Sequence, residues 1–431
     1  MRKPALAVLL AGVFLSVDVQ ALDLMQVYQE ALAHDAQYAA ARAALRAGQE
    51  AETQARAGLL PVIGLGGGHS RRDVPAIGTV DNDTYAITLT QPLYRMANWQ
   101  AYQQGKLSVG VSRAQFELAK QDLILRVAQA YFSVLAAEDT LDSIRAQKAA
   151  ITEQLAAAKR AFEVGTATIT DTHEAQARYD LVIAQEYAAQ NELDIARAAL
   201  QQIVGRPVGD LSDLRSGVTL SPPEPARVDE WVRTAEQQNY GVIAQELALQ
   251  IAQREIKRNR AGHYPTLDLE ASRSHSSNSV TIPGSTNGTT NSIGVRWTVP
   301  LFSGFAVTSA VREAIALEDR TRSDLEAARR NAALGAREAY LGVTAGLAQV
   351  RALKAAELSS KSALESNRLG YQVGVRINID VLNAQQQLFA TQRDLAHARY
   401  DVLVNGLRLK SAAGTLDEED VAQVNALLGP R

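Results

Sequence analysis

The sequence predicts an all-α chain carrying a small membrane β-hairpin region, with long coiled-coil helices and four β-strands. Three observations predict it. Proline, which breaks helix interiors, is missing between Pro92 and Pro207 and again between Pro300 and Pro430. Apolar residues inside those stretches recur at heptad spacing. Outside them lie four short segments in which apolar and polar residues alternate, the period of a strand with one apolar face.

The chain opens with Arg2 and Lys3, an apolar core from Ala5 to Leu15 and a small-residue end at Val19-Gln20-Ala21. Residues 1–21 therefore read as a secretory signal peptide, with mature protein starting near Leu22. No later stretch approaches the roughly 20 apolar residues of a membrane helix, so membrane insertion has to use strands. Without that segment 42 Lys/Arg and 46 Asp/Glu remain, a net charge of -4. This is no nucleic-acid footprint. Aromatic residues are only 5 % while alanine is abundant, which favours closely packed helices. The absence of cysteine excludes disulfides, thiolate metal sites and a lipidated N-terminal cysteine.

A helix from about Arg95 to Phe162 would run on the order of 100 Å, longer than an ordinary globular domain. Its seam steps by threes and fours through Leu141, Ile144, Ile151, Leu155, Ala158 and Phe162, interrupted only by Lys148. Leu193, Ala196, Leu200 and Ile203 repeat the pattern. Heptads alone leave a generic helical bundle open.

An internal repeat narrows the choice. At an offset of 209 residues Tyr131 meets Tyr340, Phe162 meets Tyr371, Gly165 meets Gly374, Asp171 meets Asp380 and Gly205 meets Gly414. At an offset of 204, Arg56-Ala57-Gly58 and Pro61 meet Arg260-Ala261-Gly262 and Pro265. The chain is a tandem duplication, with a first unit over 22–228 and a second over 229–431.

Each unit holds two strands. Leu267, Leu269 and Ala271 alternate with polar neighbours, as do Ile293, Val295, Trp297 and Val299 in the second unit and Tyr85, Ile87 and Leu89 in the first. The alternation from Val62 to Ser70 is weaker and glycine-rich. Membrane barrels must close, and single-chain barrels need roughly eight strands. Four strands cannot close alone, so a lipid-inserted barrel requires several chains.

Catalytic and metal chemistry find no support. The six histidines are scattered without the i, i+4 spacing of a helical metal site. Gly64-Leu65-Gly66-Gly67-Gly68 is followed by no Gly-Lys-Ser/Thr and reads as strand, not as a phosphate loop. No cofactor, metal or catalytic residue is expected. The competing reading is a periplasmic structural or adaptor coiled coil, which would share the leader and heptads but would not need four amphipathic strands.

The order helix, hairpin, long helix, glycine turn, helix, twice over, resembles the TolC family of outer-membrane export proteins. The resemblance covers essentially the whole mature chain. Its most specific stretches are Leu24-Met25-Gln26-Val27-Tyr28, Leu59-Leu60-Pro61, Leu89-Thr90-Gln91-Pro92-Leu93, Asn259 to Leu269, and Gly370-Tyr371-Gln372-Val373-Gly374 with Asp380-Val381-Leu382. It implies a homotrimer whose four strands per chain form one twelve-stranded barrel in outer-membrane lipid, continued by a helical tunnel across the periplasm. Short elements after Gly205 and Gly414 would form an equatorial belt, the latter a C-terminal equatorial segment. The implied role is the exit duct of a tripartite system for type I protein secretion or multidrug efflux, served by a periplasmic adaptor protein and an inner-membrane ABC or proton-driven transporter.

Two turns join the long helices, Val164-Gly165-Thr166 and Val373-Gly374-Val375, each centred on a glycine able to take positive φ. Just beyond them Asp171 and Asp380 open the returning helices, positions suited to helix capping. By resemblance the turns dock the adaptor, and Thr170, Asp171, Tyr371 and Arg376 gate the periplasmic aperture, with Arg376 and Tyr371 tethered to Thr170 and Asp171 of neighbouring helices. Asp380 and Asn383 would line the pore constriction. The best-known members carry a second aspartate where this chain has Asn383, so cation preference is expected to be weaker.

Overall fold

The computed structural model describes residues 21–75, 78–166, 168–215, 217–279 and 287–429. The expected leader, apart from Ala21, lies outside the described residues. The elements follow in the order α1 (Leu24–His34), α2 (Ala36–Ala57), β1 (Val62–Val74), β2 (Gly78–Tyr94), α3 (Met96–Glu163), α4 (Ile169–Val204) and β3 (Asp213–Leu214). A similar series follows: α5 (Val228–Gln238), α6 (Tyr240–Arg260), β4 (Thr266–Asn278), β5 (Gly288–Thr298), α7 (Ala306–Gln372), α8 (Asn378–Ala412), α9 (Glu418–Asn425) and β6 (Leu428–Gly429).

The proline-free stretches become α3 and α7, of 68 and 67 residues, each about 100 Å long. The α3/α4 hairpin closes on the predicted seam: Leu141, Ile151, Leu155 and Ala158 are buried, as are Leu193, Ala196 and Leu200. Phe162, one turn from the hairpin tip, is 43 % exposed; it lies near the turn that precedes the start of α4 at Ile169. Among the described residues no helix is long and apolar enough to cross a membrane.

The largest apolar cluster lies where α1, α3, α4, α8 and α9 converge, around Tyr28, Leu123, Val127, Tyr131, Leu135 and Leu200. Tyr131 donates its hydroxyl to the carbonyls of Ser212 at 2.7 Å and Leu22 at 3.2 Å, and burial raises its pKa. Its polar tip thus ties the long helix to the segments around it. The elements that follow Gly205 and Gly414 meet here: β3 pairs with β6, and α9 packs against α1. Leu22 adds a parallel bridge to Leu211.

Polar residues set the helix breaks. Asp35 ends α1 and caps α2, its Oδ1 accepting from the Tyr38 N–H at 2.6 Å, while Arg126 donates to the same carboxylate at 2.9 and 3.1 Å. Asn239 splits α5 from α6, accepting from the N–H groups of Gly241 and Val242 and donating to the Ala412 carbonyl at 3.0 Å.

β1, β2, β4 and β5 form one antiparallel sheet in the order β1-β2-β4-β5. Ile63, Leu89, Ala271 and Ile293 share one cross-strand row, and Leu269 faces Val295. Side chains in such rows point to one face. That face is uncovered: Leu65 is 80 % and Ile293 78 % exposed. At the base of the sheet Arg95, just ahead of α3, makes a bidentate pair with buried Asp268 at 2.7 Å for both bonds, fastening the strands to the first long helix.

Candidate gate and constriction at the hairpin tips

Both tips are built alike. In the first, the Gly165 N–H bonds the Phe162 carbonyl at 3.0 Å and the Thr166 N–H bonds the Ala161 carbonyl at 2.8 Å. In the second, Gly374 and Val375 bond Tyr371 and Gly370 at 3.1 and 2.9 Å. This is the Schellman arrangement, with glycine in the left-handed region at φ 76° and 78°. Val164, Val373 and Val375 are 65 to 75 % exposed. Each turn therefore presents apolar side chains on a rigid backbone.

The four residues expected at the gate are not joined to one another directly within the chain. Asp171 belongs to a capping box: its carboxylate accepts from the N–H and hydroxyl of Thr168 at 3.0 and 2.9 Å, while Thr168 accepts from the Asp171 N–H. Thr168 is the cap itself, and Thr-x-x-Asp is its sequence signal. Thr170 is exposed on the first turn of α4. Arg376, just ahead of α8, pairs with Asp380 at 3.6 Å, so within one copy its charge is directed to the residue expected at the constriction and not to Thr170 or Asp171. Tyr371 packs against Leu364, Val381 and Leu388. Burial raises its pKa, and the charge of Asp171 raises it further.

Near the tips, side-chain hydrogen bonds join the hairpins. Asn378, fully buried, accepts from Gln154 of α3 and donates to the Asp171 carbonyl at 3.5 Å. Arg178 of α4 donates to Asn383 at 2.9 Å and to Gln386 at 2.7 Å. Asn383 is thus held from α4. Sequence reasoning missed Arg178, Asn378 and Gln154, because their partners are amides and carry no charge signal.

The family model for outer membrane efflux proteins matches residues 27–206 and 231–415. The chain belongs to this family. The two matched segments lie within 22–228 and 229–431, the units expected from the sequence. The chain is 35 % identical to the outer membrane protein TolC of Vibrio cholerae, over 96 % of this chain and 95 % of that one. It is 34 % identical to the alkaline protease secretion protein AprF of Pseudomonas aeruginosa, over 97 % and 90 %. The outer membrane protein VceC of Vibrio cholerae shares the fold, with a TM-score of 0.80 at 19 % identity over 91 % of this chain and 96 % of that one. As a member of the outer membrane efflux protein family, the protein is an outer-membrane export channel and not an enzyme. The periplasmic adaptor alternative is set aside.

Proposed function

We propose that three copies close one twelve-stranded barrel, and that their helical hairpins assemble into a periplasmic tunnel with its gate at the tips. The sheet carries this reading. Its order leaves one edge of β1 and one of β5 unpaired, and open edges are not tolerated in hydrocarbon. Strand direction alternates from β1 to β5, so β5 of one copy meets β1 of the next antiparallel. The helices support the same assembly, since Tyr187, Leu358 and Leu369 stand 62 to 75 % exposed along them, apolar surface that neighbouring copies would cover.

In this reading each chain contributes two repeats, 22–228 and 229–431. Arg376 and Tyr371 of one copy reach Thr170 and Asp171 of neighbouring helices, while Asp380 and Asn383 ring the constriction. The exposed turns at Val164-Gly165-Thr166 and Val373-Gly374-Val375 dock a periplasmic adaptor, which links the duct to an inner-membrane ABC or proton-driven transporter. Likeness to a protease secretion protein supports type I secretion as one of its uses, with multidrug efflux as another.

Planar-bilayer recording tests the gate. Arg376→Ser is expected to raise the small wild-type conductance severalfold, since exposed links of this kind are each worth about 0 to 1 kcal/mol and three are lost together. Unchanged conductance would discard the gate and keep the channel. In a salt gradient Asp380→Asn is expected to shift the reversal potential away from cation preference. Selectivity equal to wild type would remove Asp380 from the constriction.

A further inference from the structure

We propose that Arg178 is a second determinant of the constriction, a guanidinium clasp within each copy that sets both how firmly the aperture closes and how weakly it prefers cations. The proposal rests on the channel reading above. Arg178 is half-buried on α4, and its Nη1 and Nη2 donate to Gln386 Oε1 at 2.7 Å and Asn383 Oδ1 at 2.9 Å. The two acceptors are three residues apart and share one face of α8. One planar fork therefore grips adjacent turns of the helix that carries the constriction. An opening that moves α8 away from α4 must break both bonds. Because the acceptors are neutral amides, the bonds are weaker than an ion pair and remain breakable.

The charge matters separately from the grip. Among the described residues no carboxylate lies within ion-pair distance of Arg178. Asp380 stands one turn before Asn383, and its charge already faces Arg376 at 3.6 Å. Each copy thus sets two guanidiniums, Arg178 and Arg376, about the Asp380 carboxylate, with Asp171 and Glu174 on the first turns of α4. Threefold repetition would set a ring of Arg178 beside the ring of Asp380 and offset its attraction for cations. Asn383 also fits the clasp: a carboxylate there would pair with Arg178 and hold α8 more tightly.

The test records wild type, Arg178→Gln, Arg178→Lys and Asn383→Asp in planar bilayers across a potassium chloride gradient, with Arg376→Ser as the independent opening variant. Arg178→Gln is expected to raise conductance about two- to fivefold and to move the reversal potential toward stronger cation selectivity. Arg178→Lys keeps the charge but loses the fork, so it should open the channel and leave selectivity unchanged. Asn383→Asp should lower conductance. Wild-type conductance and reversal potential in Arg178→Gln, with Arg376→Ser open, would overturn the clasp and leave the channel reading standing. Absence of channels from every assembled variant and from wild type would overturn both. If Arg178→Gln does not form trimers, Arg178→Lys decides: an open channel supports the clasp, and wild-type conductance overturns it.

Discussion

Gly414→Ala should destabilise the protein by about 3 to 4 kcal/mol, whereas Gly205→Ala, its counterpart in the first repeat, should cost about 1 to 2 kcal/mol. Both glycines end a returning helix in the left-handed region, at φ 76° and 81°. An alanine at either site incurs the same backbone penalty of about 1 to 2 kcal/mol. The surroundings differ. A Cβ on Gly414 would lie 2.2 Å from the Gln238 carbonyl oxygen and 3.0 Å from the Asn239 Cα, both backbone atoms at the junction of α5 and α6. Asn239 there also donates to the Ala412 carbonyl, so the junction cannot withdraw without breaking that bond. The atom nearest a Cβ on Gly205 is the His34 Cβ at 3.0 Å, a tight contact that a shift of a few tenths of an ångström relieves. Thermal dissociation of the assembled protein should separate the two variants by well over the error of the measurement. Equal losses would show that the α5/α6 junction yields easily.

Arg126→Ala is the second large effect, at about 3 kcal/mol near neutral pH. The Asp35 side chain is only 6 % exposed, and removing Arg126 leaves its carboxylate buried with the Tyr38 N–H as a remaining donor. In the wild type the hydrogen bonds from Arg126 hold the Asp35 pKa below the ordinary carboxylate value against the opposing effect of burial. A depressed folded pKa contributes stability that is complete above the unfolded value of about 3.9 and is lost as pH falls through the folded one. The wild type should therefore weaken below about pH 4, and the variant should not share that loss. The stability gap between them is expected to narrow on acidification. A gap that stays constant from neutral pH to pH 3 would assign the loss to packing of the arginine stem.

The helical frame was legible because its signals are long. Proline-free stretches and heptads located α3 and α7, and the hairpin turns announced themselves by the paired glycines. The breaks at Asp35 and Asn239 were not read, since each rests on one capping side chain inside an otherwise helical pattern. β2 extends back to Gly78, well before the predicted alternation at Tyr85. Residues 79–84 are mostly polar there, and their pairing with β1 and β4, not their own pattern, makes them strand. The strand order was equally hidden, because sequence spacing cannot say that β2 lies beside β4. At the tip, charged residues drew the reading toward Asp171, Arg376 and Asp380. Arg178 escaped it, although the repeat held a clue: at the 209-residue offset Arg178 faces Gln387, one of the places where the duplicated units differ in charge.

The position of β2 beside β4 also governs how the protein can be made. Residues 82–94 pair with residues 267–278, so the central ladder of the sheet cannot form until the second half of the chain has emerged. The helical hairpins pair segments that are close in sequence, and local contacts form first. By the same rule the local β1/β2 and β4/β5 pairs are expected before the β2/β4 ladder, and in the trimer proposed above the outer edges wait for other copies. Through that interval the apolar strand faces have no lipid and the edges have no partners, the condition in which chains aggregate. In a duplicated chain the four-stranded sheet thereby depends on both halves, and a product truncated before β4 keeps the β1/β2 pair but cannot form the β2/β4 ladder.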